Sequence, residues 1–180
     1  IIDICGLEGK DVSMSDIIFK IGPRINASGR IDNGKQSVDL LVKKDYSKAL
    51  QQAKHIDEYN EQRKDIDKQM TEEANQIVSR IENQKQQSSI VVYDENWKKG
   101  VVGIVASRLT EIYFRPTVVL TKDGNLATGS ARSIMGVDVY AAIKHCRDLL
   151  LNFGGHTYAA GLTLHWDDIP KFKQRFQEYI

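Results

Sequence analysis

Ser130 and Arg132 stand two residues apart in the segment Gly129-Ser130-Ala131-Arg132-Ser133. On a strand, residues i and i+2 project from one face, so this spacing sets a hydroxyl beside a planar guanidinium. Such a pair suits phosphate oxygens, because the guanidinium fork and the hydroxyl donate together. An edge strand with a solvated arginine is the plainer alternative. A second segment, Phe153-Gly154-Gly155-His156, precedes Ala159-Ala160-Gly161. It predicts an imidazole at the N-terminus of a short, tightly packed helix, and the flanking glycines favour a functional histidine over a structural one. A third, Gly22-Pro23-Arg24-Ile25-Asn26-Ala27-Ser28-Gly29-Arg30, is too rich in Gly, Pro and Asn for a regular element and reads as a loop. A fourth, Gly100-Val101-Val102-Gly103, opens a helix after a strand. There the missing side chains let a phosphate, or simply another backbone, approach the helix N-terminus.

Other chemistries find no support. No nucleophile–base–acid arrangement and no P-loop can be read from the chain. Metal hydrolysis needs clustered carboxylates and imidazoles. The adjacent Glu72 and Glu73 point about 100° apart on a helix, and Asp167-Asp168 reads as the cap of a final helix before Pro170. No metal site is expected in this chain. Cys5 and Cys146 lie far apart without Cys-x-x-Cys spacing, so they read as two idle thiols.

The elements that must position these segments follow from periodicity. Ser13 or Ser15 is expected to cap a helix through Lys20, and Gln36–Val42 forms another short one. From about Asp45 to Glu82 neither Gly nor Pro occurs, which predicts one helix of about 57 Å. Its apolar stripe runs Tyr46, Ala49, Ala53, Ile56 and resumes at Ile66, Met70, Ala74, Ile77, Ile81, with Asn60 and Arg63 in the gap. Two apolar ends and a polar middle suit a connector between packed bodies, with coiled-coil dimerisation as the rival. Asn83–Ser89 reads as a polar linker. Strands are expected at Ile90–Tyr93, Thr117–Thr121, Leu126–Ser133 and Leu162–His165, and helices at Val101–Phe114, Asp138–Leu151 and Asp168–Ile180. The fold class is therefore α/β: a long connector helix, then a domain with a mixed β-sheet flanked by helices.

The 180 residues are 41% apolar and 27% charged, ordinary for a globular protein, and no apolar run approaches the roughly 20 residues of a membrane span. Net charge is only +1. Yet residues 20–44 carry six basic against two acidic groups, and residues 98–147 carry eight against three. Two basic segments that meet in space would attract an anion; scattered over a solvated surface they would not. The start, Ile1-Ile2-Asp3-Ile4-Cys5, has neither an initiator Met nor a signal region, and reads as a piece of something longer.

Taken together, the segment Gly22–Arg30, the run Trp97-Lys98-Lys99-Gly100-Val101-Val102-Gly103-Ile104-Val105-Ala106-Ser107-Arg108, the segment Gly129–Ser133 and the run Phe153–Leu162 resemble the RecJ-type exonucleases of the DHH phosphoesterase superfamily in order and spacing. The resemblance covers roughly Ser15 to Phe176. It implies a parent enzyme that degrades single-stranded DNA 5′→3′ in recombination and repair, with Mn²⁺ or Mg²⁺ held by a catalytic domain. That domain's Asp-His-His motif is not in this sequence. Residues 1–44 would be the tail of that catalytic domain, 45–88 the connector helix and linker, and 89–180 the DHH-associated nucleic-acid-binding domain. The fragment itself would be inactive, bind no metal, and be a cytoplasmic monomer whose partners are single-stranded DNA and other repair proteins, with no membrane association.

Carried over by position, Asn26 and Arg30 would contact substrate phosphate at a cleft. Ser130, Ala131 (through its backbone N–H) and Arg132 resemble the family's pocket for the DNA 5′-phosphate. Gly154 and Gly155 would be among the residues that bind substrate or phosphate, and His156 would lie near the scissile phosphate. Trp97 is a candidate for stacking on a base, a buried structural role being the alternative. Lys98 departs from the histidine found in many family members. Two other functions fit less of the sequence. One is a phosphodiesterase of the same superfamily for short oligonucleotides or cyclic dinucleotides; the other is a non-catalytic RNA-binding module like the related domain of alanyl-tRNA synthetases.

Overall fold

The structure, a computed structural model, describes residues 1–81 and 87–180. Most of the expected linker Asn83–Ser89, and Glu82 before it, lies outside the described residues. The chain packs as two compact units, Ile1–Ile66 and Asp67–Ile180.

In the first unit a helical run begins at α1 (Met14–Asp16), capped by Ser13 and Asp16 in a reciprocal capping box. It continues through a π-helical stretch, Ile17–Ile21, into α2 (Gly22–Ile31). The loop expected at Gly22–Arg30 is thus a helix. The reason is local: Pro23 falls in the first turn of α2, where its missing N–H and fixed φ cost nothing. Helix α3 (Lys35–Val42) follows, and Ser28 and Ser37 join their hydroxyls at 2.7 Å between α2 and α3. Leu40, Ala53 and Ile56 form the small core of this unit, with Ile1, Ile4, Ile25 and Ala49 against it.

The long helix is α4 (Tyr46–Ser79), 34 residues. Its buried line runs through Ala53, Ile56, Asn60, Asp67, Met70, Ala74 and Val78. This differs from the expected stripe at both ends: Tyr46 is exposed, and Val78 rather than Ile77 is buried. The polar middle is present, with Asn60 buried and Arg63 half-buried. Asn60 accepts from Arg63 at 2.8 Å. Within the second unit, Asp67 receives both Nε and Nη2 of Arg108 at 2.8 Å.

The second unit is built on one five-stranded sheet among the described residues, in the order β1-β2-β3-β5-β4. Its strands are β1 (Ile90–Asp94), β2 (Thr117–Asp123), β3 (Leu126–Arg132), β4 (Leu150–His156) and β5 (Ala159–His165). Helix α5 (Val102–Tyr113) joins the parallel pair β1 and β2; every other pairing is antiparallel. The mixed α/β reading holds. One face of the sheet carries Val118, Leu120, Ala127, Ala131, Ala160, Leu162 and Leu164, packed against α6 (Val139–His145) and α7 (Ile169–Tyr179). Phe172 and Phe176 of α7 stack at 5.6 Å inside this core.

Strand β4 is the main departure from expectation. A helix through Leu151 and a short helix after His156 were expected; instead α6 ends at His145, and β4 and β5 form a hairpin. A bulge between Leu150 and Asn152 decides which side chains of β4 face which way. Before it, Leu150 pairs with Leu164 on the core face; after it, Asn152 rather than Leu151 stands opposite Thr163. A bulge inverts the alternation of everything beyond it. Gly154 and His156 consequently share a face with Arg132.

Candidate nucleic-acid interface

The face of the sheet opposite α6 and α7 is covered unequally. Helix α5 lies over β2 and β3, burying Val102, Val105, Ala106 and Leu109, with Val92 and Val119 buried in the strands. Over β5 and β4 no helix lies on this side among the described residues of the unit, and Asn152, Gly154, His156 and Gly161 are exposed. The register arranges this open side into three rows that cross β3, β5 and β4. Arg132, Ala159 and His156 form the first; Ser130, Gly161 and Gly154 the second; Thr128, Thr163 and Asn152 the third. A groove of about 310 Å³ lies over the third row and the Gly161–Gly154 part of the second, lined by Thr128, Gly129, Asn152, Gly154, Gly161 and Thr163 among others.

The expected same-face pair is present. Arg132 Nη1 donates to Ser130 Oγ at 2.6 Å and to the Ala131 carbonyl at 2.8 Å. The guanidinium is therefore held flat along its own strand, with its position fixed before any ligand arrives. Ala131 is fully buried between Val118 of β2 and Ala160 of β5. Its N–H lies in the plane of the sheet rather than above the open face. Gly103, in the first turn of α5, closes the other side of the pair: a Cβ there would stand 3.0 Å from Arg132 Nη2 and 3.3 Å from Ser130 Oγ. Of the two roles sequence reading offered for the Gly100–Gly103 segment, close packing accounts for Gly103. The packing nonetheless brings the amide end of a helix beside a guanidinium, and both favour an anion.

The glycines of this region divide into two kinds. A Cβ on Gly154 would meet nothing within 4 Å, and one on Gly161 would meet only the Gly129 carbonyl at 3.8 Å. Neither packing nor a left-handed backbone requires glycine at these two positions. They form a smooth floor over which another backbone can come close. Gly155 differs. Its φ is 153°, and a Cβ would fall 2.3 Å from the Ala159 carbonyl, so it is glycine for the fold.

His156 ends β4 rather than starting a helix, and its exposed ring accepts from the Tyr158 N–H at 3.3 Å. Two strand spacings separate it from Arg132, about 10 Å along the first row. Trp97 is buried rather than presented on the surface. It is 5% exposed, and its Nε1–H donates to Glu73 at 2.8 Å, which ties the β1–α5 loop to the end of α4. The buried alternative is the one found. Lys98 is exposed, and Lys99 pairs with Asp123 at 2.6 Å. In the first unit, Asn26 is exposed and Arg30 half-buried one turn later on α2, on the same side of that helix.

Among the described residues no group of three His, Cys, Asp or Glu side chains is placed to hold a metal ion, and no step through a metal is assigned to this chain. No helix is long and apolar enough to cross a membrane among those residues. Burial pushes the Cys146 thiol up to about 11, that of an inert core side chain. Sequence reasoning missed Thr128, Asn152, Gly161 and Thr163. The signal was available as three alternations of small or polar with apolar residues: Thr128-x-Ser130-x-Arg132, Asn152-x-Gly154-x-His156 and Ala159-x-Gly161-x-Thr163.

The DHHA1 domain model matches residues 86–180. The single-stranded-DNA-specific exonuclease RecJ of Bacillus subtilis is 38% identical over 181 residues, covering 98% of this chain and 23% of that protein. The RecJ of Escherichia coli is 35% identical over 188 residues, covering 100% of this chain and 32% of its own length. The crystal structure of Thermus thermophilus RecJ in complex with Mg²⁺ superposes with a TM-score of 0.87 at 28% identity, over 99% of this chain and 27% of that one. Its Mn²⁺ complex gives the same score and identity, over 26% of that chain. The chain thus spans about a quarter to a third of these relatives. With its sheet, its helices and the matched residues 86–180 in agreement, the chain belongs to the DHHA1 domain family, and over its whole length it is similar to RecJ exonucleases.

Proposed function

We propose that this chain is the strand-holding part of a 5′→3′ exonuclease acting on single-stranded DNA in recombination and repair. The supporting observation is the second row: Ser130, tied to Arg132, beside two glycines with open space above them. Arg132 and Ser130 take the 5′-terminal phosphate, with Ala131 fixing their spacing from within the sheet. Gly161 and Gly154 let the sugar–phosphate chain lie close to the sheet, and Gly155 keeps the hairpin in register. His156, at the far end of the first row, donates to a non-bridging oxygen of the next phosphate. Asn26 and Arg30 hold a further phosphate from the first unit. Contacts of this kind position a strand without reading its sequence, as a progressive degrader requires.

The same proposal includes a division of labour. Mn²⁺ or Mg²⁺ belongs to the catalytic part of the longer enzyme, where it supplies the Lewis acid and the activated water. This chain alone is inactive and monomeric. Residues 1–44 are the tail of the catalytic domain, 45–88 the connector, and 89–180 the nucleic-acid-binding domain. The enzyme works in the cytoplasm with other repair proteins.

The test is binding of this chain to a single-stranded oligonucleotide with and without a 5′-phosphate, across a salt series, beside Arg132→Ala. A preference for the phosphorylated end, lost in the variant together with roughly one unit of salt slope, is the expected result. Equal binding of both ends with no effect of the variant would leave only a generic basic surface.

A further inference from the structure

Lys20, Lys64, Lys99 and Lys122 each lie within ion-pair distance of a carboxylate. Two lysines of the first unit are treated differently. Gln36 and Lys43 stand two turns apart across α3 and its C-cap, and Lys48, Gln51, Gln52 and His55 follow at spacings of three and four on α4. Each set therefore forms one helix face. The core of Leu40, Ala53 and Ile56 holds the two helices together, and the two polar faces line a groove of about 530 Å³. Among the described residues no carboxylate lines it. Asp45 accepts from the Lys48 backbone N–H at 3.0 Å, and Glu58 pairs with His55 Nδ1 at 3.2 Å, so both are engaged elsewhere.

The charge of this groove is held in place rather than cancelled. Lys43 Nζ donates to Gln52 Oε1 at 2.6 Å, and Gln52 Nε2 donates to the Gln36 carbonyl at 2.6 Å. A carboxamide anchored to the backbone thus fixes the ammonium where a glutamate would neutralise it. The side chains of Lys48 and Gln51 have no hydrogen-bond or ion-pair partner among the described residues. Two like charges facing one concavity repel, and an anion between them relieves that repulsion. A single carboxylate balances one ammonium; a ligand with two or more phosphate charges balances both. The volume is that of a small-ligand site and exceeds what a lone phosphate fills. We infer that the α3–α4 groove is a phosphate-binding site, in which Lys43 and Lys48 neutralise the ligand and Gln51 donates to one of its oxygens. This site lies in the other unit from Ser130 and Arg132 and does not depend on their role.

The experiment is a titration of the isotopically labelled chain, followed by its amide resonances, with inorganic tripolyphosphate and separately with an oligothymidylate that lacks a 5′-phosphate. Lys43→Gln/Lys48→Gln is compared with Lys54→Gln/Lys68→Gln, which removes the same charge from exposed positions of α4 outside the groove. Tripolyphosphate is expected to move the amides of Lys43, Lys48 and Gln51. The groove variant should weaken that binding by about tenfold or more, with the melting temperature unchanged. The control variant should change it by less than about twofold, because exposed charges at a distance are screened. Arg132→Ala should leave the response at these three amides as it is. Movement by tripolyphosphate alone assigns the groove to a small polyphosphate ligand, and equal movement by the oligonucleotide assigns it to the backbone of the strand. No movement at these amides, or an equal loss in both lysine variants, overturns the site while leaving the pair Ser130 and Arg132 standing.

Discussion

The two faces of the β3–β5–β4 sheet use the same small residues to opposite ends. On the covered face, Ala127, Ala131 and Ala160 are buried in the α6–α7 core, and at the hairpin Gly155, though exposed, is glycine because the backbone of β5 comes close. On the open face, Gly161 and Gly154 are small with nothing close at all. Adjacent glycines in one strand thus answer to different demands, one internal and one external. A Gly-Gly pair is therefore two observations, and structure is needed to separate them.

The largest test of that contrast is Gly155→Ala. Its Cβ would collide with the Ala159 carbonyl and the Ala160 Cα at 2.3 and 2.5 Å, and its φ of 153° is one that alanine rarely adopts. Backbone strain and collision together predict a loss of more than about 3 kcal/mol, or failure to fold, read by urea unfolding. Near-normal stability would mean that the hairpin can slide, and the two faces would lose their fixed identity.

Next comes the half of the open-side face that α5 covers. Asp67 is 1% exposed, and both of its carboxylate oxygens accept from Arg108. The ion pair raises the Arg108 pKa, the side-chain hydrogen bond being the main cause. Arg108→Ala leaves a buried carboxylate without that partner and should cost about 2–3 kcal/mol. Arg108→Ala/Asp67→Asn should recover much of it, which separates a stranded charge from lost packing.

A third test reads the covered face by pH. Cys146 is fully buried in the α6–α7 core, and desolvation pushes its thiol to about 11 from an ordinary value of 9.0. The pKa is raised in the folded state, so the associated stability is complete below pH 9 and is lost as pH climbs through 11. Relative to Cys146→Ala, the unaltered chain should lose on the order of 2 kcal/mol across that window. Parallel pH profiles for the two proteins would place Cys146 in contact with water.

Why some of this was legible and some not has a physical basis. The pair Ser130 and Arg132 could be read because β3 is an unbroken strand, and strict alternation fixes which side chains share a face. The parallel unit β1–α5–β2 could be read because β-branched runs and a 3.6-residue stripe are local signals. Strand β4 could not. Leu150-Leu151-Asn152 continues a helical spacing from α6, and one bulged residue then reverses the alternation that places His156. Helix α2 was hidden by Gly22 and Pro23, which end helices from within but are harmless in a first turn. Trp97 was ambiguous for a different reason: its partner Glu73 lies 24 residues away, and no local pattern reveals such a contact.

The smallest expected change in stability is the most informative about function. Gly154→Ala adds a Cβ where nothing lies within 4 Å, at a backbone conformation open to any residue. Replacing glycine in a strand removes unfolded-state freedom, so stability should be unchanged or rise by about 0.5 kcal/mol. The added methyl nevertheless stands on the floor between Ser130 and the outer edge of β4, where a sugar–phosphate chain would have to lie close. Affinity for a 5′-phosphorylated single strand should therefore fall severalfold while the melting temperature holds or increases. Gly161→Ala should behave in the same way, because Gly161 pairs with Ser130 on one side and Gly154 on the other. A packing role would lower stability and affinity together, and an idle surface would change neither. Only a surface shaped for something outside the chain becomes more stable as it loses its ligand.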